Sequence, residues 1–135
     1  MSKALEITIG GKKVLCDLHE DAAPVTVAAL EAAGPFESVV FSANVCSNEI
    51  TWNTPVNDLL DLENVVFEED PGNVVFYPAW SAICVFYGPT EPAGKCTKIA
   101  TIRPEYLDAF SEEASKVWFE QGEGKNVTTR IVEEA

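Results

Sequence analysis

Apolar and polar residues alternate on both sides of a glycine pair near the start of the chain. The runs from Leu5 to Ile9 and from Val14 to Leu18 each place an apolar residue at every second position. Period-two alternation is typical of a half-buried strand, and Gly10-Gly11 between the runs suits a two-residue turn with positive φ angles. The chain therefore begins with a predicted β-hairpin.

Two helices and six further short strands are predicted after the hairpin. Asp21 is expected to cap the first helix, Pro24 to lie in its first turn and Gly34-Pro35 to end it. Pro104 opens the second helix, in which apolar residues recur at a spacing of three or four. The strands are expected over residues 39–45, 50–54, 74–77, 82–87, 97–102 and 127–132.

The length and the strand count together favour one closed architecture. A chain of 135 residues that is 47% hydrophobic can bury a single core, so residues 1–135 are expected to form one domain. Eight mostly antiparallel strands in so short a chain predict a closed barrel, since closure removes exposed sheet edges. The two helices would then cap the open ends of the barrel.

The negative charge is concentrated in the middle of the chain. The net charge is -13, and the 81 residues from Val14 to Gly94 contain 13 of the 22 acidic residues and no lysine or arginine. Nucleic acids and anionic membrane surfaces are therefore not expected as partners, because both require clustered cations. A site built from this stretch alone holds no ammonium or guanidinium group, which favours a neutral or cationic ligand.

The cysteines and the single histidine predict neither a metal site nor a disulfide framework. Cys16, Cys46, Cys84 and Cys96 form no C-x-x-C pair, and His19 has no second histidine beside it in the sequence. No cofactor is expected, since no dinucleotide-binding or phosphate-binding glycine motif occurs. The N-terminus lacks the apolar segment of a secretory leader, so a cytoplasmic location is expected.

The order of the elements resembles that of the cyclophilin barrel. Residues 81–90, Ser-Ala-Ile-Cys-Val-Phe-Tyr-Gly-Pro-Thr, are similar to the cyclophilin stretch that begins Ser-Gln-Phe-Phe and ends Pro-Thr. A closer resemblance, over roughly residues 4–133, is to a family of small prokaryotic proteins with a cyclophilin-like fold and unknown function. It is carried by Pro-Phe-Glu-Ser-Val-Val at 35–40, Thr-Pro-Val-Asn at 54–57, Tyr-Pro-Ala-Trp at 77–80 and Ala-Ile-Cys-Val-Phe-Tyr-Gly at 82–88.

The resemblance implies the cyclophilin groove but not the cyclophilin reaction. Cyclophilins lower the barrier to rotation of an X-Pro bond, about 18–20 kcal/mol uncatalysed, with an arginine on the third strand. Here that strand falls within residues 41–45, in the stretch without arginine or lysine. Ala82 stands where the resemblance implies a glutamine, and Cys84 where it implies a phenylalanine. Prolyl isomerase activity is therefore disfavoured.

Binding of a small molecule or a short peptide in the groove is the preferred hypothesis. Polar and aromatic residues on the strands that form the groove by resemblance would supply the few polar groups and the apolar wall of such a site. Trp52 and Cys84 could instead be core residues, and Glu49 a solvated strand residue. The candidate ligand-binding residues are Asn44, Glu49, Trp52, Tyr77, Trp80 and Cys84.

Two further alternatives remain open from the sequence. Cyclophilin-like domains also occur in amide-bond hydrolases and their accessory subunits, in which case Glu49 could act as a general base and Cys84 as a nucleophile. That alternative requires both side chains to open into one pocket. The apolar pair Trp118-Phe119 at the end of the second helix either caps the barrel or contacts a second copy in a homo-oligomer.

Overall fold

A computed structural model describes residues 2–42, 47–57, 59–66, 70–90, 95–119 and 126–134. Within these ranges the chain forms ten strands and two α-helices. In chain order they are β1 (Ser2–Ile9), β2 (Lys12–Leu18), α1 (Pro24–Ala33), β3 (Phe36–Val39), β4 (Phe41–Ser42), β5 (Ser47–Asn53), β6 (Val65–Val66), β7 (Asn73–Tyr77), β8 (Ala82–Thr90), β9 (Cys96–Ile102), α2 (Pro104–Phe119) and β10 (Asn126–Glu134).

All ten strands belong to one sheet, and every described pairing is antiparallel. The order across the sheet is β3-β10-β1-β2-β9-β7-β8-β5-β4, and β6 pairs with β9 outside this path. The predicted hairpin is confirmed, with Ile7 opposite Val14 and glycines at positive φ in the turn. The prediction of a mainly β fold with two helices is therefore confirmed.

The predicted count of eight strands is wrong for two local reasons. The strand expected over residues 39–45 is interrupted at Val40, whose side chain is buried between β3 and β4, while Phe41 is half-exposed. The short strand β6 lies in a connection for which no strand was predicted. Residues 43–46 lie outside the described residues.

Closure of the sheet into a barrel is not confirmed. The two ends of the strand order are β3 and β4, and no ladder joins them within the described parts of the chain. The Ser38 hydroxyl on β3 donates one hydrogen bond to the Asn53 carbonyl on β5 (2.7 Å). The ends of the sheet therefore approach one another through a side-chain contact and not through a continuous backbone ladder.

Strands β5, β7 and β8 have buried residues on both faces. Their inner side chains, such as Trp52, Phe76 and Ile83, fill the main core with Phe110 of α2. Their outer side chains form a second, smaller cluster that we call the outer cluster. Its members are Val75, Tyr77, Cys84, Phe86 and Cys96, with Val66 of β6 packed against them.

Helix α2 lies against the main core as the apolar spacing predicts. Phe110, Ala114 and Val117 are all buried on that side of the helix. The side chains of Trp118 and Phe119, expected to cap the barrel or to contact a second copy, lie outside the described residues.

A distant glutamate caps the first helix. Ala23 occupies the N-cap position and supplies no side-chain bond, so the cap predicted at Asp21 is wrong. The Glu63 carboxylate instead accepts hydrogen bonds from the backbone N–H groups of Val25 (3.2 Å) and Thr26 (2.8 Å) and from the Thr26 hydroxyl (2.9 Å). The connection between β5 and β6 is therefore fastened to the start of α1.

We expect Glu63→Ala to destabilise the fold by about 1 kcal/mol at neutral pH, the usual effect of losing a helix N-cap. Partial burial acts to raise the pKa of Glu63, but the hydrogen bonds from Thr26 and Val25 outweigh it and hold that pKa below 4.5. A lowered folded-state pKa means that the stabilisation is present above the unfolded-state value and is lost as the pH falls through the folded-state value.

The measurement is urea unfolding of the Glu63→Ala variant and the wild type at pH 7 and pH 3. The difference in unfolding free energy should shrink at pH 3. Asp21→Ala is the matched control, since the Asp21 side chain is exposed and does not cap α1. Equal destabilisation by the two substitutions at pH 7 would contradict the assignment of the cap.

Helix α2 comes close to the hairpin turn at Gly10 but not at Gly11. A Cβ atom built on Gly10, whose φ is +58°, would lie 2.3 Å from a carboxylate oxygen of Glu113. The Glu113 side chain is buried and pairs with Lys116 (3.0 Å). Gly11 has a φ of +77° but nothing within 4 Å of the same built atom.

Both Gly10→Ala and Gly11→Ala should destabilise the protein through backbone strain, by about 1–2 kcal/mol each. Gly10→Ala must in addition move the Glu113 carboxylate, the far end of a flexible side chain, and disturb its pairing with Lys116, which adds up to about 1 kcal/mol. Thermal unfolding of the two variants compares them directly. A Gly11→Ala variant that is as unstable as Gly10→Ala would show that the contact with α2 contributes nothing.

Candidate functional site

The register of the sheet brings several predicted site residues to the outer cluster. Thr51 on β5 pairs with Cys84 on β8, and Cys84 pairs with Val75 on β7. Tyr77 lies two residues beyond Val75 and therefore on the same face of the sheet. Glu49 lies two residues before Thr51, so its side chain shares this outer face, where it is 1% exposed.

Cys84 is a buried thiol with a local hydrogen-bond partner. Its Sγ donates to the Thr51 hydroxyl (3.2 Å), which in turn donates to the Ile83 carbonyl (3.0 Å). Burial raises the pKa of the Cys84 thiol, and the charge of Glu49 raises it further. A thiol held in its protonated form is a poor nucleophile, because the thiolate is the reactive species.

A cavity opens beside the outer cluster, at the end of β7. Its volume is about 420 Å³, within the range of small-molecule sites. Its walls come from the end of β7, the turn that follows it, the connection between β5 and β6, and the start of β9. The lining residues are Leu59, Leu62, Tyr77, Pro78, Ala79, Trp80 and Lys95.

Trp80 is presented by a short turn that β5 holds in place. Pro78–Trp80 form a single turn of 3-10 helix, and Ser81 follows with a left-handed φ of 46°. The Asn53 side chain donates a hydrogen bond to the Trp80 carbonyl (3.1 Å), and the Thr54 N–H donates one to the Ser81 carbonyl (2.8 Å). Trp80 is 60% exposed, and its backbone is held by these hydrogen bonds.

Tyr77 and Trp80 form an aromatic pair in the cavity wall. Their ring centroids are 5.1 Å apart and their planes are inclined by 37°. Burial raises the pKa of Tyr77, and the Cys96 thiol and the Glu49 carboxylate raise it further, so the phenol stays protonated at neutral pH. The Tyr77 hydroxyl is itself buried, and the Cys96 thiol beside it is only a weak hydrogen-bonding group.

Another part of the cavity wall is the connection between β5 and β6, which carries Leu59 and Leu62. Hydrogen bonds hold this connection on both sides of the two leucines. The Ser81 hydroxyl donates a hydrogen bond to the Val56 carbonyl (2.6 Å), and Glu63 caps α1. Between these anchors Leu59 is 89% exposed and Leu62 is 41% exposed. Exposed leucines beside an exposed tryptophan make an apolar surface, which is a common mark of a binding site.

Among the described residues that line the cavity, the charged one is the cation Lys95. Lys95 follows directly after the stretch of sequence that has no lysine or arginine. Pairing of Phe76 with Thr97 aligns the end of β7 with the start of β9 and thereby brings Lys95 to the cavity. The site is consequently less acidic than the sequence around it.

The structure separates the predicted site residues into three groups. Tyr77 and Trp80 line the cavity, while Glu49 and Cys84 are buried on the same face of the sheet without lining it. Trp52 packs in the main core, the alternative left open by the sequence, and Asn44 lies outside the described residues.

Trp52 belongs to the inner face of the sheet. It is 1% exposed, and its indole N–H donates a hydrogen bond to the Thr129 hydroxyl on β10 (3.0 Å). The pleat of β5 directs Trp52 away from Glu49 and Thr51, so a residue that packs in the main core cannot also face the cavity.

The lining residues that were not among the predicted site residues are Leu59, Leu62, Pro78, Ala79 and Lys95. The only available signal was the presence of leucines within an otherwise acidic connection. Among the described residues there is no group of three or more histidine, cysteine, aspartate or glutamate side chains placed to hold a metal ion. No helix in those same ranges has the length and apolar character needed to cross a membrane.

Comparisons with solved structures support the fold. The chain superimposes on a structure of McbB in complex with tryptophan with a TM-score of 0.80 and 23% identity, over 97% of this chain and 45% of that one. The chain thus spans less than half the length of McbB. A solution structure of the hypothetical protein AF2241 from Archaeoglobus fulgidus gives a TM-score of 0.66 and 23% identity, over 96% of this chain and 93% of that one.

Sequence comparison supplies the family. No curated protein matches the chain. The family described as Cyclophilin-like matches residues 3–119, which contain β2 to β9, both helices and all of β1 except Ser2. The resemblance carried by the four sequence segments is thereby confirmed, and the chain belongs to the cyclophilin-like family.

Proposed function

We propose that this protein binds a small organic molecule with an aromatic body in the cavity beside Tyr77 and Trp80. The observation that carries the proposal is the exposed indole of Trp80, held by a fixed turn over a cavity with mostly apolar walls. An aromatic ligand would stack on the Tyr77–Trp80 pair, since aromatic groups favour offset and inclined contacts at such distances.

Two further observations support an aromatic ligand. The cavity volume of about 420 Å³ suits a molecule of the size of an amino acid or a small metabolite. The McbB structure, whose fold is similar, holds tryptophan.

Neither alternative enzymatic role is favoured by the site. Prolyl isomerisation by the cyclophilin route would need an arginine placed to polarise the prolyl nitrogen, and none is among the described residues that line the cavity. A hydrolase with Cys84 as its nucleophile would need an accessible thiolate, whereas Cys84 is 4% exposed and the pKa of its thiol is raised by burial.

The proposed binding is tested by isothermal titration of the protein with indole and with tryptophan. Trp80→Ala should weaken binding about tenfold or more, corresponding to ~1.4 kcal/mol, because an aromatic side chain that contacts a ligand carries a large share of its affinity. Phe41→Ala is the matched control, since Phe41 is a half-exposed aromatic residue outside the cavity lining. Unchanged affinity in Trp80→Ala would place any binding elsewhere.

The exclusion of a thiol nucleophile is tested by alkylation. Cys84 in the folded protein should resist iodoacetamide at pH 7.5, and it should react fully once the chain is unfolded in guanidinium chloride. Peptide mapping by mass spectrometry distinguishes it from Cys16 and Cys96, which are also buried. Rapid modification of native Cys84, with the other two protected, would restore the nucleophile hypothesis.

A further inference from the structure

Two exposed apolar side chains lie on the outer face of the sheet, outside the cavity. Val39 is 43% exposed and Phe41 is 51% exposed, and they flank Val40, whose side chain packs in the main core. Alternation along the extended chain therefore directs Val39 and Phe41 away from that core. Phe41 is opposite Thr51 on β5, whose hydroxyl contacts the Cys84 thiol of the outer cluster. The two side chains therefore share a face of the sheet with the cavity.

The end of β5 links these side chains to the cavity. The Asn53 side chain donates a hydrogen bond to the Trp80 carbonyl (3.1 Å). The Asn53 carbonyl accepts one from the hydroxyl of Ser38 (2.7 Å), the residue before Val39. Trp80 and Val39 are thus held on the two sides of one strand. We call the exposed surface formed by Val39, Phe41, Leu59, Leu62 and Trp80 the apolar band.

The apolar band is longer than the cavity alone. Phe41 is opposite Thr51, and Trp80 lies just before β8, in which Ala82 is opposite Asn53. Phe41 and Trp80 are therefore about two strand spacings apart across the sheet and two residues apart along it, which is roughly 12 Å. In an extended chain, residues i and i+4 point to the same side and are about 13 Å apart. Five extended residues therefore span the band.

The charge of this part of the chain favours a basic partner. Every residue of the apolar band belongs to residues 14–94, a stretch of the sequence with 13 acidic residues and no lysine or arginine. Glu37 is exposed on β3 two residues before Val39, on the same face of the strand. These charges attract a basic segment, whereas they repel a second copy of the same acidic chain.

We propose that the apolar band binds an extended, basic segment of another protein. An aromatic side chain of that segment fills the cavity beside Trp80, and an apolar side chain four residues along contacts Val39 and Phe41. The proposal rests on the proposed function, since it uses the same cavity, and it identifies the aromatic body as a side chain of a polypeptide. Exposed apolar patches of this kind commonly mark sites of protein interaction.

The test compares three synthetic peptides with blocked ends and N-acetyltryptophanamide by titration calorimetry. The lysine peptide is Trp-Ser-Ser-Ser-Leu-Lys-Lys, the serine peptide replaces its leucine with serine, and the glutamate peptide replaces its two lysines with glutamates. The lysine peptide should bind about fivefold more tightly than the serine peptide or N-acetyltryptophanamide, because its leucine buries further apolar surface. Its affinity should exceed that of the glutamate peptide and fall as the salt concentration rises from about 50 to about 300 mM.

Variants at exposed positions assign the second contact, and because these side chains are exposed the variants are expected to fold. Phe41→Ala should remove most of the advantage of the lysine peptide over the serine peptide. It should leave indole binding unchanged, since Phe41 does not line the cavity. Val39→Ala should weaken the lysine peptide about twofold, whereas Val25→Ala, at an exposed valine of α1 outside the apolar band, should not. Glu37→Gln should reduce the preference for lysines over glutamates.

The results that contradict the peptide proposal differ from those that contradict the cavity. Equal affinity of the lysine and serine peptides, an advantage that Phe41→Ala leaves intact, or a preference for the glutamate peptide would overturn the proposal and leave the aromatic site in place. Dimerisation that Phe41→Ala abolishes, seen by analytical ultracentrifugation without peptide, would assign the band to a second copy instead. If neither indole nor any peptide bound in a manner sensitive to Trp80→Ala, the proposed function itself would be overturned.

Discussion

Two-sided burial of β7 and β8 is the constraint on which the site depends. Every residue of β7, from Asn73 to Tyr77, is buried, so the strand must be covered on both faces of the sheet. The main core covers the inner face, and the outer cluster covers the other. The cavity begins where the outer cluster ends, at Tyr77, because there the apolar cover gives way to the exposed Trp80.

Burial of β7 and β8 on both faces made part of the site predictable from the sequence. The apolar runs over residues 74–77 and 82–87 lack alternation, which is typical of strands buried on both faces, and both strands form. The Pro-Ala-Trp turn after β7 was visible as an irregular segment with a large aromatic residue. The sequence left Trp52 open between groove and core, because alternation separates the two faces of β5 but does not indicate which face lies inside, and its partner Thr129 is 77 residues away.

The rest of the site depends on long-range contacts that leave no local pattern. The helix cap was predicted at Asp21 because capping is usually local, yet the carboxylate that caps α1 belongs to Glu63. That contact also fastens the connection carrying Leu59 and Leu62, which has no periodicity of its own. One wall of the cavity is therefore fixed by a bond that also stabilises a helix on another part of the fold, and the sequence does not reveal this link.

Charge acts on this protein at two different distances. The excess of 13 negative charges belongs to residues 14–94 and determines the long-range field, which is screened over about 8 Å at physiological ionic strength. The local charge at the cavity depends on its lining, and among the described lining residues the charged one is Lys95, which antiparallel pairing brings in from just beyond that stretch. Net charge therefore describes the field at a distance from the molecule, whereas the strand register determines which charged side chain lies at the cavity.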